Sequence, residues 1–85
     1  MVYRMTQAEQ LQVYGESRTQ TKNWLDTATE PQIADRKQRA KWDMEDAAHA
    51  RDGPNQDLAM EADWQYHSNR GVLDAIRHHE RIVSL

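Results

Sequence analysis

The sequence predicts an all-α fold: three helices, with the second and third forming a long antiparallel hairpin. Two capping boxes, one strong turn and a 3-4 spacing of apolar residues in each segment carry that prediction. Strand signals are nearly absent, because no segment alternates apolar and polar residues between turn residues. At 85 residues the chain is read as a single small helical domain, 1–85.

The first helix is expected over about Thr6–Thr27. Thr6-Gln7-Ala8-Glu9 matches the capping box, in which the Thr hydroxyl and the Glu carboxylate each satisfy a free backbone N–H. Thr29-Glu30-Pro31-Gln32 repeats the pattern with Pro in the first turn, so the second helix is expected over about Glu30–Arg51. Asp52-Gly53-Pro54-Asn55 ends it: Gly can close a helix in the left-handed conformation, and Pro cannot continue one. Asn55 then caps a third helix over about Gln56–Val83. Ser68-Asn69-Arg70-Gly71 is a soft spot inside it. The apolar pattern runs through that segment in phase, which favours one long helix over two.

Each helix carries a seam. On the first it is Leu11, Tyr14, Arg18, Thr21, Leu25 and Ala28. On the second it is Ile33, Lys37, Ala40, Met44, Ala47 and Arg51. On the third it is Leu58, Ala62, Gln65, Asn69, Val72, Ile76, His79 and Val83. Lys37, Arg51, Gln65, Asn69 and His79 make poor core residues, so these seams imply specific but weak packing. Turning each helix by about 100° per residue places Trp24, Trp42 and Trp64 away from the seams. Met60, Trp64, Gly71 and Ala75 fall together on a second face of the third helix.

Composition narrows the function classes. Leu, Ile, Val and Phe are 12 of the 85 residues, which leaves Ala, Met, Trp and Tyr to supply much of the core. Charges of both signs are abundant and nearly cancel at a formal net −3, a pattern of solvated helices and not of a disordered tail. There is no cysteine, so disulfides and thiolate metal sites are excluded. Met1–Thr6 shows no apolar run, so no secretion signal is expected and a cytoplasmic or virion-associated location is the default.

Glu45/His49 and Asp63/His67 are carboxylate–histidine pairs four residues apart on a helix. Two such pairs can hold a metal when helices bring them together. With the turn at Gly53-Pro54, His49 is expected level with about Leu58 and His67 with about Ala40, so the pairs should not meet and no metal site is expected. No catalytic motif is present, no cofactor is implied, and an enzyme is not expected.

Arg36, Lys37, Arg39 and Lys41 begin the second helix, and Arg70, Arg77 and Arg81 lie late in the third. In a hairpin both groups sit away from the turn, while the turn end is acidic. Such a basic end can neutralise phosphates. The chain as a whole is acidic, however, with a sequence pI near 5.7, so nucleic acid is the less favoured partner.

The reading that accounts for most of these features is a non-enzymatic structural or assembly protein that completes its core on copies of itself or on a larger protein. Bacteriophage virion components and adaptors are proteins of this kind. Trp24, Trp42, Met60 and Trp64 are its expected partner-binding residues. The competing expectation puts the three tryptophans in the core of a self-sufficient bundle. A second functional class is a small soluble regulator that blocks a host protein or nucleic acid through the basic end. No membrane association is expected, since no stretch approaches the roughly 20 apolar residues of a span.

Overall fold

The computed structural model describes residues 5–83, apart from the side chain of Gln56. Met1–Arg4, read above for a secretion signal, lie outside the described residues. The fold is all-α: α1 (Gln7–Leu25), α2 (Glu30–Arg51) and α3 (Gln56–Val83).

The two capping boxes form as the sequence predicts. The Thr6 hydroxyl accepts the Glu9 N–H at 3.2 Å, and the Glu9 carboxylate accepts the Thr6 N–H at 3.3 Å. Thr29 and Gln32 make the same exchange at 3.4 and 3.0 Å. Asn55 caps α3 by accepting the N–H groups of Asp57 and Leu58. The first helix ends two residues before its expected limit. The N–H groups of Thr27 and Ala28 both turn back onto the Trp24 carbonyl, which also accepts the Thr27 hydroxyl. The stop after α2 differs from expectation in its backbone: Gly53 does not adopt positive φ, and its N–H closes the turn onto the Ala50 carbonyl at 3.2 Å.

The helices run up, down and up. Lys37 beside Glu80 and Arg51 beside Asp63 mark the two ends of the antiparallel α2–α3 pair. Contacts of Tyr14 with Asp74 and of Lys22 and Leu25 beside Ala75 and His79 show that α1 runs parallel to α3. Both α1 and α2 pack along α3 and touch one another little. The result is elongated, about 46 × 23 × 19 Å.

This layout explains why α3 carries buried residues on two faces. Ala40 of α2 and Leu25 of α1 meet Val72, Leu73, Ala75 and Ile76 in one cluster, with Trp24, Ile33 and Met44 packed at its edge. The α2 seam is inward-facing throughout, with every member buried or half-buried. The α1 seam is not: Leu11 and Arg18 are exposed, and so are Leu58, Gln65 and Val83 of the α3 seam.

Beyond Leu25, polar and small residues join α1 to α3. The Ser17 hydroxyl donates to the Ser68 carbonyl at 2.5 Å, and the Tyr14 hydroxyl donates to the Asp74 carboxylate. A Cβ added at Gly71 would lie 2.5 Å from the Tyr14 carbonyl oxygen and 3.0 Å from the Arg18 nitrogen. The soft spot in the sequence is therefore the point where the α1 backbone comes closest, and α3 continues through it as one helix. Glycine is required here for space, not for backbone freedom.

Candidate functional site

Three regions hold the chemistry-bearing side chains. The first is buried between the elements near the α2–α3 turn. Asp63, fully buried on α3, accepts the Met5 N–H at 3.0 Å through Oδ2. Its Oδ1 lies 3.2 Å from Arg51 Nε of α2 and 3.3 Å from His67 Nε2 one turn along α3. Neither nitrogen is aligned for a hydrogen bond, so charge more than direction holds this cluster. The Arg51 guanidinium also sits 4.5 Å from the centre of the Tyr66 ring, and Tyr66 meets the edge of His67. Burial pushes the His67 pKa below its ordinary 6.5, against the pull of the Asp63 charge in the other direction.

Asp63 and His67 thus do pair, but as part of the interior. The other carboxylate–histidine pair is separate, because Glu45 and His49 are both exposed on α2. The reason differs from the expected one. The Arg51–Asp63 and Lys37–Glu80 ion pairs shift the hairpin register, bringing His49 level with about Gln65–Ser68 of α3 and so with His67. Side-chain direction, not register, keeps the pairs apart. Among the described residues, no three acidic or histidine side chains are grouped closely enough to hold a metal ion.

The second region is the set of large apolar side chains. Trp42 and Trp64 remain 57% and 51% exposed; Met60, which shares a groove with Trp64, and Leu58 are also exposed at the start of α3. Trp24 behaves differently from the expectation that grouped it with them: it is half-buried against the internal cluster. It forms one wall of a shallow groove between α1 and α2, with Arg36 on the other wall and Val72 in the floor. A second groove, of about 480 Å³, lies between the start of α1 and the start of α3. Met5, Met60 and Trp64 give it an apolar lining, and Glu9, Asp57 and Glu61 line it as well. Sequence reasoning placed Met60 and Trp64 on one face but missed the Met5 wall, since nothing in the pattern shows where the segment before α1 runs.

The third region is the basic group. Several of its members are engaged inside the chain. Lys37 pairs with Glu80 at 2.8 Å, Arg39 with Asp35 at 3.2 Å, and Arg36 reaches Asn69. Arg70 stacks 4.8 Å from the centre of the Tyr14 ring. Its charge draws the Tyr14 pKa down, but the hydrogen bond to Asp74 outweighs that and the pKa is raised overall. Arg77 and Arg81 line a wide groove between α1 and α3 together with Arg18, Asp74 and Glu80. Lys41 is exposed and does not line this groove. Of the predicted basic residues, this groove brings together Arg77 and Arg81, and Lys37 reaches its Glu80 lining residue. Arg18 was missed because it reads as a seam residue of α1.

The chain is similar to no known protein family, no curated protein and no solved structure. No helix among the described residues is long and apolar enough to cross a membrane.

Proposed function

We propose that this chain is a non-enzymatic structural or assembly protein that completes its packing on another protein chain, either its own copy or a larger partner. The exposure of Trp42 and Trp64 carries the reading. A chain this poor in large aliphatic residues fills its buried cluster partly with alanine yet leaves two indoles facing water. Fully burying a large apolar side chain stabilises by about 1.5–3 kcal/mol, and tryptophan is enriched where interfaces bind most strongly. A virion component or an adaptor is the kind of assembly protein we have in mind.

The arrangement of titratable groups supports a non-enzymatic role. Among the described residues, the histidine–carboxylate pair that lies within ion-pair distance, Asp63 and His67, is buried and away from solvent.

Size-exclusion chromatography with light scattering tests the reading. The purified chain, alone or with its natural partner, is expected in a fixed multi-copy complex, with tryptophan emission shifted to the blue relative to the free chain. Trp42→Ala and Trp64→Ala should weaken that complex and leave the helical signal intact. A chain that stays monomeric and is indifferent to both substitutions would refute the reading. The alternative, a soluble regulator acting through its basic end, draws on the Arg18–Arg77–Arg81 groove. It requires binding that falls steeply with salt.

A further inference from the structure

We propose that the groove between the start of α1 and the start of α3 docks a basic amphipathic segment of another protein, one that presents a large apolar residue flanked by lysine or arginine. The inference rests on the assembly reading above and names the surface and the chemistry of the partner.

The groove is lined by two kinds of side chain. Met5, Met60 and Trp64 are apolar, and Glu9, Asp57 and Glu61 are acidic; among the described residues no basic side chain lines it. Two of the three acids have duties in folding. Glu9 completes the cap of α1, and Asp57 lies in the first turn of α3, where a carboxylate favours the helix. Glu61 lies one turn further on and is exposed, and its carboxylate makes no ion pair or hydrogen bond among the described residues. The fold thus leaves Glu61 without a partner, between Met60 and Trp64, which are themselves half in water.

The sign of the rim selects among occupants. Nucleic acid and anionic lipid would bring phosphates to three carboxylates, and like charges repel. A basic protein segment brings the opposite sign. Its cations can pair with Asp57 and Glu61, and one can lie against the exposed Trp64 indole. The two methionines adapt readily to the shape of an apolar anchor. An apolar centre within a charged rim is the usual build of a protein interface, the centre giving affinity and the rim giving register and speed of encounter.

The test titrates the full chain into three dye-labelled helical peptides and reads fluorescence anisotropy. One peptide sets leucine against lysine on opposite faces, one leucine against glutamate, and one serine against lysine. The leucine–lysine peptide should bind, and the other two at least tenfold more weakly. Asp57→Lys/Glu61→Lys and Met60→Ser/Trp64→Ser should each weaken the leucine–lysine peptide at least tenfold, with circular dichroism unchanged. Asp43→Lys/Asp46→Lys, which reverses exposed acids outside the groove, should change it less than threefold. No binding of the leucine–lysine peptide would overturn the proposal. Equal binding of the serine–lysine peptide, or an equal loss in the Asp43/Asp46 variant, would overturn it too, since general charge attraction would then suffice. If deleting residues 1–4 raises the affinity tenfold, the chain's own start is the occupant and the proposal falls. It falls as well if light scattering finds oligomers of the unaltered chain that Asp57→Lys/Glu61→Lys takes apart, because the occupant is then a second copy. None of these failures touches the assembly reading, which Trp42→Ala tests separately, because Trp42 lies outside this groove.

Discussion

Removing the Asp63 carboxylate should be among the most damaging single changes available in this chain. Asp63 is fully buried and holds three things at once: the backbone ahead of α1, Arg51 at the end of α2, and His67 on α3. Asp63→Ala leaves the Arg51 guanidinium, whose side chain is 19% exposed, with its charge uncompensated. Breaking a buried ion pair from one side costs about 3–5 kcal/mol. Arg51 lies at a helix end and can swing toward water, so the low end of that range applies. Loss of the acceptor for the Met5 N–H adds about 1 kcal/mol. At roughly 0.05–0.15 kcal/mol per residue, a chain of this length has about 4–13 kcal/mol in total. The substitution should therefore remove from about a third of the stability to nearly all of it. Urea titration followed by circular dichroism measures the loss, and Asp63→Asn, which restores an acceptor but not the charge, should fall between. Arg51→Met in the Asp63→Ala background should recover part of the loss, because it removes the stranded charge. A loss under about 1 kcal/mol for Asp63→Ala, or no recovery in the double variant, would refute this account.

Three further outcomes follow from the same packing. The pKa of His67 is depressed in the folded chain, so the unfolded chain takes up the proton first as pH falls. Stability should hold above about pH 6.5 and decline as pH drops below it, and His67→Gln should flatten that decline in a denaturation series. Gly71→Ala gains up to about 1 kcal/mol of helix propensity but forces a Cβ against the Tyr14 carbonyl. Overpacking of that kind costs about 1–3 kcal/mol, so the net effect on melting temperature should be negative. Thr29→Ala removes the cap of α2 and should cost about 1 kcal/mol by chemical denaturation, with no change placing the start of that helix elsewhere.

What was legible in the sequence was the local chemistry of helix ends. Thr6 with Glu9, Thr29 with Gln32, and Asn55 after Gly53-Pro54 mark the three starts, because a cap is a contact between residues only three apart. The α2 seam was legible too, since Ile33, Ala40, Met44 and Ala47 repeat at helical spacing and all face α3. The α1–α3 contact was legible only in part, through Tyr14, Thr21 and Leu25 of the predicted seam. The rest of it is built from Ser17, Ser68 and Gly71, whose side chains carry no apolar periodicity, and Leu11 drew attention to a face that is in water. Asp63 reads as half of a carboxylate–histidine pair at the acidic turn end, and not as a buried group. Its burial depends on Met5 and Arg51 arriving from distant points of the chain, which no spacing rule encodes.

Because α1 and α2 each lean on α3 and scarcely on each other, the two halves of the structure differ in how far the chain must search to make them. The α2–α3 hairpin closes across a short turn, whereas Tyr14 must find Asp74 across 60 residues. Loop closure over the longer distance carries the larger entropic cost, so the hairpin should form first and α1 should dock last. The same asymmetry orders the native state from within. Amide hydrogens of α1 should exchange through a partial opening that leaves α2 and α3 paired, and that opening would uncover the glycine notch at Gly71 and the Met5 side of the groove together.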